Sequence, residues 1–268
     1  MPSQELQFRQ LCGLAIATSL CAASYGGQPL ETESARVLPK GAMEFAAALE
    51  WQTSAEGSES AVPLVFDYGI SEHLELSLEP VIYSKISPDG GGTASGLGDF
   101  EGTMKWAMLD ESEHRPAVAL GFELKLPTAK NRQIGTGKSD YRGFAALSRR
   151  HGQWDWHANL GYTVLGKPSD LQLNNIFDYA VAVEYRASPQ MEWVAEIIGN
   201  TAAAKDAGDA AAPTMPDENS LNPEIAGSET VAMIGGRYSW RPGSAFTLGL
   251  TYDNNNAFSF RPGIVMRW

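Results

Sequence analysis

The amino-acid sequence predicts an all-β fold, a transmembrane antiparallel up-and-down β-barrel of about twelve strands. Apolar and polar residues alternate along most of the chain after residue 40, as they do in strands whose two faces meet different surroundings. The predicted connections alternate between short and long, and aromatic residues gather near the predicted strand ends. These three patterns together indicate a barrel in a bacterial outer membrane, with short turns on the inner side.

The N-terminus has the layout of a secretory signal peptide. A polar stretch with one arginine precedes the apolar run 11–20, and small residues follow that run. The run is too short for a membrane-spanning helix. We therefore predict that residues 1–26 are a signal peptide, cleaved after Ala23, Ser24 or Gly26.

The rest of the chain is predicted to form a periplasmic N-terminal segment, residues 27–40, and the barrel, residues 41–268. Both cysteines, Cys12 and Cys21, fall in the signal peptide, so the mature chain would have no thiol for a disulfide, a metal site or a nucleophile. The net charge of −12 and the absence of a basic run exclude nucleic acid as a partner, because phosphates bind clusters of Lys and Arg.

Twelve segments show the period-two alternation of strands. In the first, Met43, Phe45 and Ala47 alternate with Glu44 and Ala46. The predicted strands contain residues 43–52, 62–70, 73–79, 99–108, 118–125, 139–150, 154–164, 177–186, 191–199, 230–240, 246–252 and 258–268. An even number of strands is what single-chain bacterial barrels have.

The connections differ systematically in length on the two sides of the barrel. If the first strand runs outward, the inner connections are the short segments 71–72, 110–115, 151–153, 187–190 and 241–244. The outer connections are longer, except for the last turn, and comprise 53–60, 85–96, 127–138, 166–174, 201–228 and 253–256. A soluble β-sandwich has no reason to sort its loops in this way, whereas outer-membrane barrels do.

Aromatic residues are expected to form two girdles where lipid tails meet headgroups. The inner girdle would contain Trp154, Tyr185, Trp193, Trp240 and Trp268. The outer girdle would contain Trp51, Tyr141, Tyr162, Phe177, Tyr252 and Phe258. Trp268 is in phase with the apolar residues of the last predicted strand and falls at its inner end.

Several short segments resemble a family of bacterial outer-membrane proteins assigned to transport in the meta-pathway of phenol degradation. The segments are Leu38–Gly41 with the strand that follows, Phe66–Leu76, Gly96–Asp99 with Lys105, Leu126–Ala129 and Gly135–Asp140. The resemblance covers most of residues 36–268, although Ala129 stands where the family has glycine. It implies an outer-membrane barrel that takes up small, including aromatic, compounds. Together with the position of Trp268 at the end of the last predicted strand, the resemblance also implies that Trp268 is an assembly signal for the barrel-insertion machinery, in place of the more usual Phe.

Familiar catalytic and cofactor motifs do not fit. The segment 135–139 lacks the first glycine of a phosphate-binding loop, because position 132 is Arg132. The four histidines, which are His73, His114, His151 and His157, lack the spacing of metal ligands. His157 is predicted on the lumen face near the inner end of its strand, away from the outer bilayer surface where lipid-hydrolysing barrels act. We therefore predict no cofactor, no metal and no enzymatic activity.

The polar face of the predicted strands carries many charged residues. A charge that faces lipid costs about 2–4 kcal/mol at the bilayer midplane, so these residues must face a lumen. The predicted lumen-lining residues are Asp99, Glu101, Lys105, Glu123, Lys125, Asp140, Arg142, Asp155, His157, Glu184, Arg186, Glu196 and Arg237. In one interpretation they line a water-filled channel whose excess acid favours cations. In the other they interlock as ion pairs and plug a narrow bore. We favour a narrow or partly occluded channel.

The sequence therefore predicts a passive outer-membrane channel or uptake protein for small, including aromatic or hydrophobic, solutes. Its other partners would be outer-membrane lipid and the insertion machinery. Two alternatives stay open. One is a non-transporting structural or adhesive barrel that acts through long extracellular loops, above all 201–228. The other is a soluble periplasmic β-protein.

Overall fold

The computed structural model describes residues 28–55, 57–169, 173–203 and 228–268. Fourteen strands in these ranges form a single antiparallel sheet. Their bounds are β1 Met43–Ala48, β2 Glu50–Ser54, β3 Gly57–Ser71, β4 Leu74–Pro88, β5 Ala94–Gly96, β6 Phe100–Leu109, β7 Ala117–Leu126, β8 Asp140–His151, β9 Trp154–Val164, β10 Ile176–Arg186, β11 Met191–Asn200, β12 Glu229–Arg241, β13 Ser244–Asp253 and β14 Phe258–Arg267. The predicted signal peptide and residues 204–227 of the predicted loop 201–228 lie outside the described residues. Within the described ranges, no helix has the length and apolarity that a membrane crossing needs.

The sheet closes on itself as a twelve-stranded barrel. The last strand, β14, pairs with both β1 and β2, which are two parts of one barrel strand. The short β5 pairs only with β4 and stands outside the ring. Every other barrel strand pairs with its two neighbours in the sequence, so the predicted antiparallel up-and-down barrel is confirmed.

The break between β1 and β2 falls at Leu49 and has a local cause. The Leu49 N–H donates to the Pro262 carbonyl on β14 over 2.9 Å. Pro262 has no N–H to return the bond, because its nitrogen is closed into the ring. The ladder is therefore interrupted at this one pair, while the strand continues in the same direction on either side.

The barrel is apolar outside and polar inside, the reverse of a soluble protein. Large apolar side chains such as Trp193 and Ile234 are exposed, at 56% and 64%. Charged residues on the alternate positions of the same strands are buried, for example Glu196 at 4%. Such a surface suits lipid outside and an enclosed lumen inside, because only closed barrels and helices satisfy the backbone in a membrane.

The aromatic residues lie at both ends of the strands, on the outward face. Near the inner ends, the rings of Trp154 and Tyr185 have centroids 4.5 Å apart, and those of Trp240 and Phe246 are 4.2 Å apart. At the C-terminus, Trp268 exchanges two backbone hydrogen bonds with Met43, which fixes the end of the barrel to its beginning.

One predicted loop is wrong. Residues 53–60 are not an outer loop, because β2 and β3 pair directly up to Ser54 and Gly57. Both β3 and β4 have fifteen residues. At roughly 3.3 Å per residue they reach well beyond an apolar band of about 25 Å. The polar Ser and Glu residues near Gly57 therefore belong to strand that stands above the membrane, where the alternation is no longer marked by apolar side chains.

Candidate functional site: the barrel lumen

Twelve of the thirteen residues that we predicted to line the lumen lie at inward positions of strands, and Asp99 lies immediately before β6. Ten are buried, with exposures of 2–8%, namely Asp99, Glu101, Lys105, Glu123, Lys125, Asp140, Arg142, Asp155, His157 and Glu196. The other three, Glu184, Arg186 and Arg237, are half-buried or exposed and lie near the inner end. Alternation alone therefore found the inward positions, but it did not reveal what covers them.

The lumen is filled by the chain's own N-terminal segment. We predicted residues 27–40 to be periplasmic, but residues 28–38 lie inside the barrel and only Pro39 and Lys40 are exposed at its inner end. We name residues 28–38 the N-terminal plug. Leu30, Thr32 and Leu38 are each at most 3% exposed. The sequence did not predict this placement, because residues 28–40 lack the period-two alternation of a strand and have the pattern of a linker.

Backbone N–H groups hold the plug to carboxylates of the wall. Glu196 accepts hydrogen bonds from the N–H groups of Glu31 and Thr32, and from the Thr32 hydroxyl over 2.6 Å. Nearer the inner end of the barrel, the Leu38 N–H donates to Glu75 Oε2 over 2.6 Å. The plug has no helix or strand of its own, so the wall supplies the acceptors that its backbone needs.

Amide and hydroxyl groups of the wall complete this anchoring. Asn159 accepts from the Glu33 N–H over 2.6 Å and donates its own amide to the Glu33 carbonyl over 2.8 Å. Ser148 Oγ accepts from the Ala35 N–H over 2.8 Å and lies 2.8 Å from Nδ1 of His157. Serine and histidine thus meet, as in a nucleophilic site, but Ser148 is only 1% exposed and already binds the plug.

Small residues of the wall leave room for the plug. A Cβ on Gly235 would lie 2.9 Å from the Pro29 ring, and one on Gly249 would lie 3.3 Å from it. Ala35 packs among alanines of β7 and β8 and against Phe144. Glycine and alanine at inward positions of the strands are therefore the feature of the sequence from which a filled lumen could have been predicted.

A buried ion-pair cluster joins the plug to the wall. Lys105 Nζ lies 2.8 Å from Glu33 Oε2 and 2.9 Å from Glu75 Oε1. All three side chains are 2% exposed. Because an unpaired charge in such surroundings is strongly unfavourable, each member depends on the others.

Two further buried cations are paired within the wall, whereas Arg261 pairs with Glu31 of the plug and with Glu50 of the wall. Arg142 lies 2.7 Å from Asp178 and 3.2 Å from Glu123, and its guanidinium stacks on Phe144 at 4.6 Å. Lys125 pairs with Asp140 on the neighbouring strand. Many of the lumen charges therefore interlock as ion pairs, and the plug occupies much of the bore.

Cavities remain at the two ends of the lumen. The inner cavity measures about 220 Å³ and its lining includes Arg36, Asp155 and Arg237. The outer cavity measures about 60 Å³ and its lining includes Glu31 and Arg261. The plug lies between them.

Arg36 fixes the plug at the inner end. Its guanidinium lies 3.0 Å from Asp155 and 2.5 Å from Glu111 on the inner turn. Desolvation raises the pKa of the Glu111 carboxyl, but hydrogen bonds from Arg36 and from the Arg150 N–H outweigh it, so that this pKa lies below its ordinary value. At neutral pH Glu111 therefore stays ionised and maintains its ion pair with Arg36.

Three segments that carried the family resemblance meet at the outer mouth. Asp99, which follows the glycines of 96–98, accepts a hydrogen bond from the Ala129 N–H over 2.9 Å. The Thr128 hydroxyl donates to the Gly98 carbonyl over 2.9 Å. Gly135 lies so close to Asp99 that a Cβ would come within 2.8 Å of its carboxylate. The loop 127–138 is thereby folded against the barrel rim.

The sequence also matches a known family. The sequence profile of the family described as "Putative MetA-pathway of phenol degradation" matches residues 27–259. The chain belongs to this family. Among curated protein sequences, none matches the chain.

The solved structures to which this chain is similar include outer-membrane channels and porins. An outer-membrane channel of Pseudomonas putida F1 superposes with a TM-score of 0.63 at 14% identity, over 87% of this chain and 97% of the other. The NanC porin gives 0.57 at 11% identity, over 83% and 98%. The KdgM porin in complex with disordered oligogalacturonate gives 0.54 at 9% identity, over 83% and 98%. At these identities the likeness establishes the fold, an outer-membrane β-barrel.

Proposed function

We propose that the chain is a passive outer-membrane channel for small neutral or cationic compounds, aromatic ones included, with a bore that its own N-terminal plug narrows. The observation that carries this proposal is the charge of the enclosed lumen. Among the described residues, fourteen Asp and Glu are buried against four Lys and Arg. A closed barrel that only supported the membrane would gain nothing from so many buried carboxylates, each of which is costly to desolvate.

The acid excess favours cations and disfavours anions. Rings of carboxylates in a pore raise the local concentration of cations and repel anions. Oligogalacturonate, which the KdgM porin binds in its solved structure, is a polyanion. We therefore expect this channel to exclude such oligosaccharides in spite of the shared barrel fold.

The plug limits the size of the solute. Because it crosses the lumen between the two cavities, only compounds that pass beside it or displace it can enter. Small single-ring compounds, which the family description suggests, fit this limit better than oligosaccharides do. Ser148 and His157 are assigned to holding the plug and not to catalysis.

Two measurements test the proposal. Planar bilayers that separate KCl solutions of different concentration should show a small conductance with a reversal potential on the cation side. Proteoliposomes should take up benzylamine, a cation, faster than benzoate, an anion of nearly the same size and shape. Empty liposomes correct for permeation through lipid. No conductance, anion selectivity, or faster benzoate uptake would each overturn the proposal.

A further inference from the structure

One wall of the lumen carries buried polar atoms for which the described part of the chain supplies no hydrogen-bond partner. We name it the acidic wall; it comprises Asp67 on β3, Ser77 and Glu79 on β4, and Glu101 and Thr103 on β6. Oδ1 of Asp67, Oε1 of Glu101 and Oγ1 of Thr103 are buried and form no hydrogen bond with a described residue. Buried polar atoms almost always have a partner, and an ion or a water is the usual one when the protein provides none.

The strand register brings these side chains together. Asp67 is the cross-strand partner of Ser77, and Ser77 is the partner of Thr103. Glu79 is the partner of Glu101, and Ser77 Oγ donates to Glu79 Oε1 over 3.1 Å. Partner side chains on one face have Cβ atoms about 5 Å apart. Two carboxyl groups therefore face each other, with two hydroxyl groups beside them.

The nearest lysines are engaged with other carboxylates. Lys125 is the cross-strand partner of Glu101 and attracts it, but its ion pairs are with Asp140 and Asp99. Lys105 lies between two carboxylates outside the acidic wall. Among the described residues, no ion pair joins Asp67 or Glu101 to a cation. Buried charges are ordinarily paired, so the missing ion pairs of Asp67 and Glu101 leave room for a cation beside them.

We propose that the acidic wall binds one compact monovalent cation, either an alkali-metal ion or the primary ammonium group of a solute. This inference rests on the proposed channel, because the cation reaches the wall through the lumen. No three His, Cys, Asp or Glu of the described residues are arranged to hold a metal ion, which is why a divalent centre does not fit. A monovalent ion needs fewer anionic ligands and accepts hydroxyl oxygens. A channel site must also bind weakly enough to release its ion.

The test is crystallographic, with Tl⁺ as the probe for its anomalous scattering. Wild-type crystals soaked in thallium acetate should show one anomalous peak among Asp67, Glu101 and Thr103. The peak should be absent in Glu101→Gln and much weaker in Thr103→Val, which changes no charge. Thr247→Val is the matched control: the Thr247 hydroxyl is also buried without a partner, but it lies beside Arg237 and should leave the peak unchanged.

The two sources of the cation are separated by competition. Excess potassium acetate in the soak should remove the Tl⁺ peak if alkali-metal ions bind, and excess methylammonium acetate should remove it if ammonium groups bind; both acetates keep Tl⁺ in solution. The absence of a Tl⁺ peak in the wild type would mean that the carboxyl groups share protons, and would overturn the site. Conductance without a peak would overturn the site and leave the channel standing, whereas a peak without conductance would support the site and overturn the channel.

Discussion

The substitution Lys105→Met tests whether ion pairs hold the plug in place or the plug merely lies in the lumen. The substitution keeps most of the side-chain volume and removes the ammonium that joins Glu33 of the plug to Glu75 of the wall. Both carboxylates are then buried side by side without the ammonium that lay between them. Their repulsion favours release of the plug, because Glu33 moves with the plug and Glu75 does not.

The structure allows the size of this effect to be estimated. Removing one partner of a buried ion pair costs about 3–5 kcal/mol, because the remaining charge is uncompensated. Each 1.4 kcal/mol corresponds to a factor of about ten in an equilibrium constant. The population with the plug displaced should therefore rise by roughly a hundredfold to a few thousandfold. Glu33→Gln in the Lys105→Met background should reverse much of this rise, since it removes one of the two repelling charges.

The measurement is the fraction of time that single channels spend at a higher conductance level in planar bilayers. Lys85→Met serves as the control, because Lys85 is an exposed lysine of β4. Heat-modifiable migration on a detergent gel shows that each variant has folded as a barrel. Two results would refute the reasoning: a Lys105→Met channel that opens no more often than the wild type, or a further increase when Glu33→Gln is added to it.

Three further predictions follow from the same contacts. The pair Ala35→Cys and Ser148→Cys should form a disulfide that lowers conductance, with recovery under dithiothreitol, whereas dithiothreitol should not change the conductance of either single-cysteine variant; an unchanged conductance of the oxidised pair would contradict the placement of the plug. Gly121→Ala should lower the stability of the refolded barrel in urea by about 1–3 kcal/mol, because its Cβ would overlap the ring of Phe144, and wild-type stability would contradict this overlap. Trp268→Ala should reduce the amount of folded barrel in the outer membrane and Trp268→Phe should restore it, as heat-modifiable migration would show; equal amounts in all three would rule out the proposed assembly signal.

The barrel could be predicted from the sequence because the two faces of its wall meet opposite surroundings, lipid outside and a polar lumen inside. Along β9 and β10, nearly every second residue is apolar and the residues between are polar or small, so the alternation is clear in the sequence. It weakens where the strands leave the lipid, as at Glu59 and Ser60. The sequence predicts a loop at both positions, because no apolar side chain marks the outward face there.

The plug was not accessible from the sequence for a physical reason. Its residues have no period of their own, since the segment is neither helix nor strand, and its hydrogen bonds go to side chains far away in the chain. The Thr32 hydroxyl meets Glu196, and the Ala35 N–H meets Ser148, at separations of more than a hundred residues. A single sequence does not reveal such pairs. The sequence feature that indicates a filled lumen is the set of glycines and alanines at inward positions, such as Gly235 and Gly249.

The contacts of the plug also change the meaning of the acidic lumen. Several carboxylates that we predicted to line a pore accept hydrogen bonds or ion pairs from the plug instead, as Glu196 and Asp155 do. Their charge is therefore largely compensated while the plug is in place. Asp67 and Glu101, which form no ion pair with a described cation and each have one buried oxygen without a described hydrogen-bond partner, lie on the wall that β3, β4 and β6 form. Cation preference in the plugged state should therefore depend on this one wall, and displacement of the plug should increase it by exposing the rest.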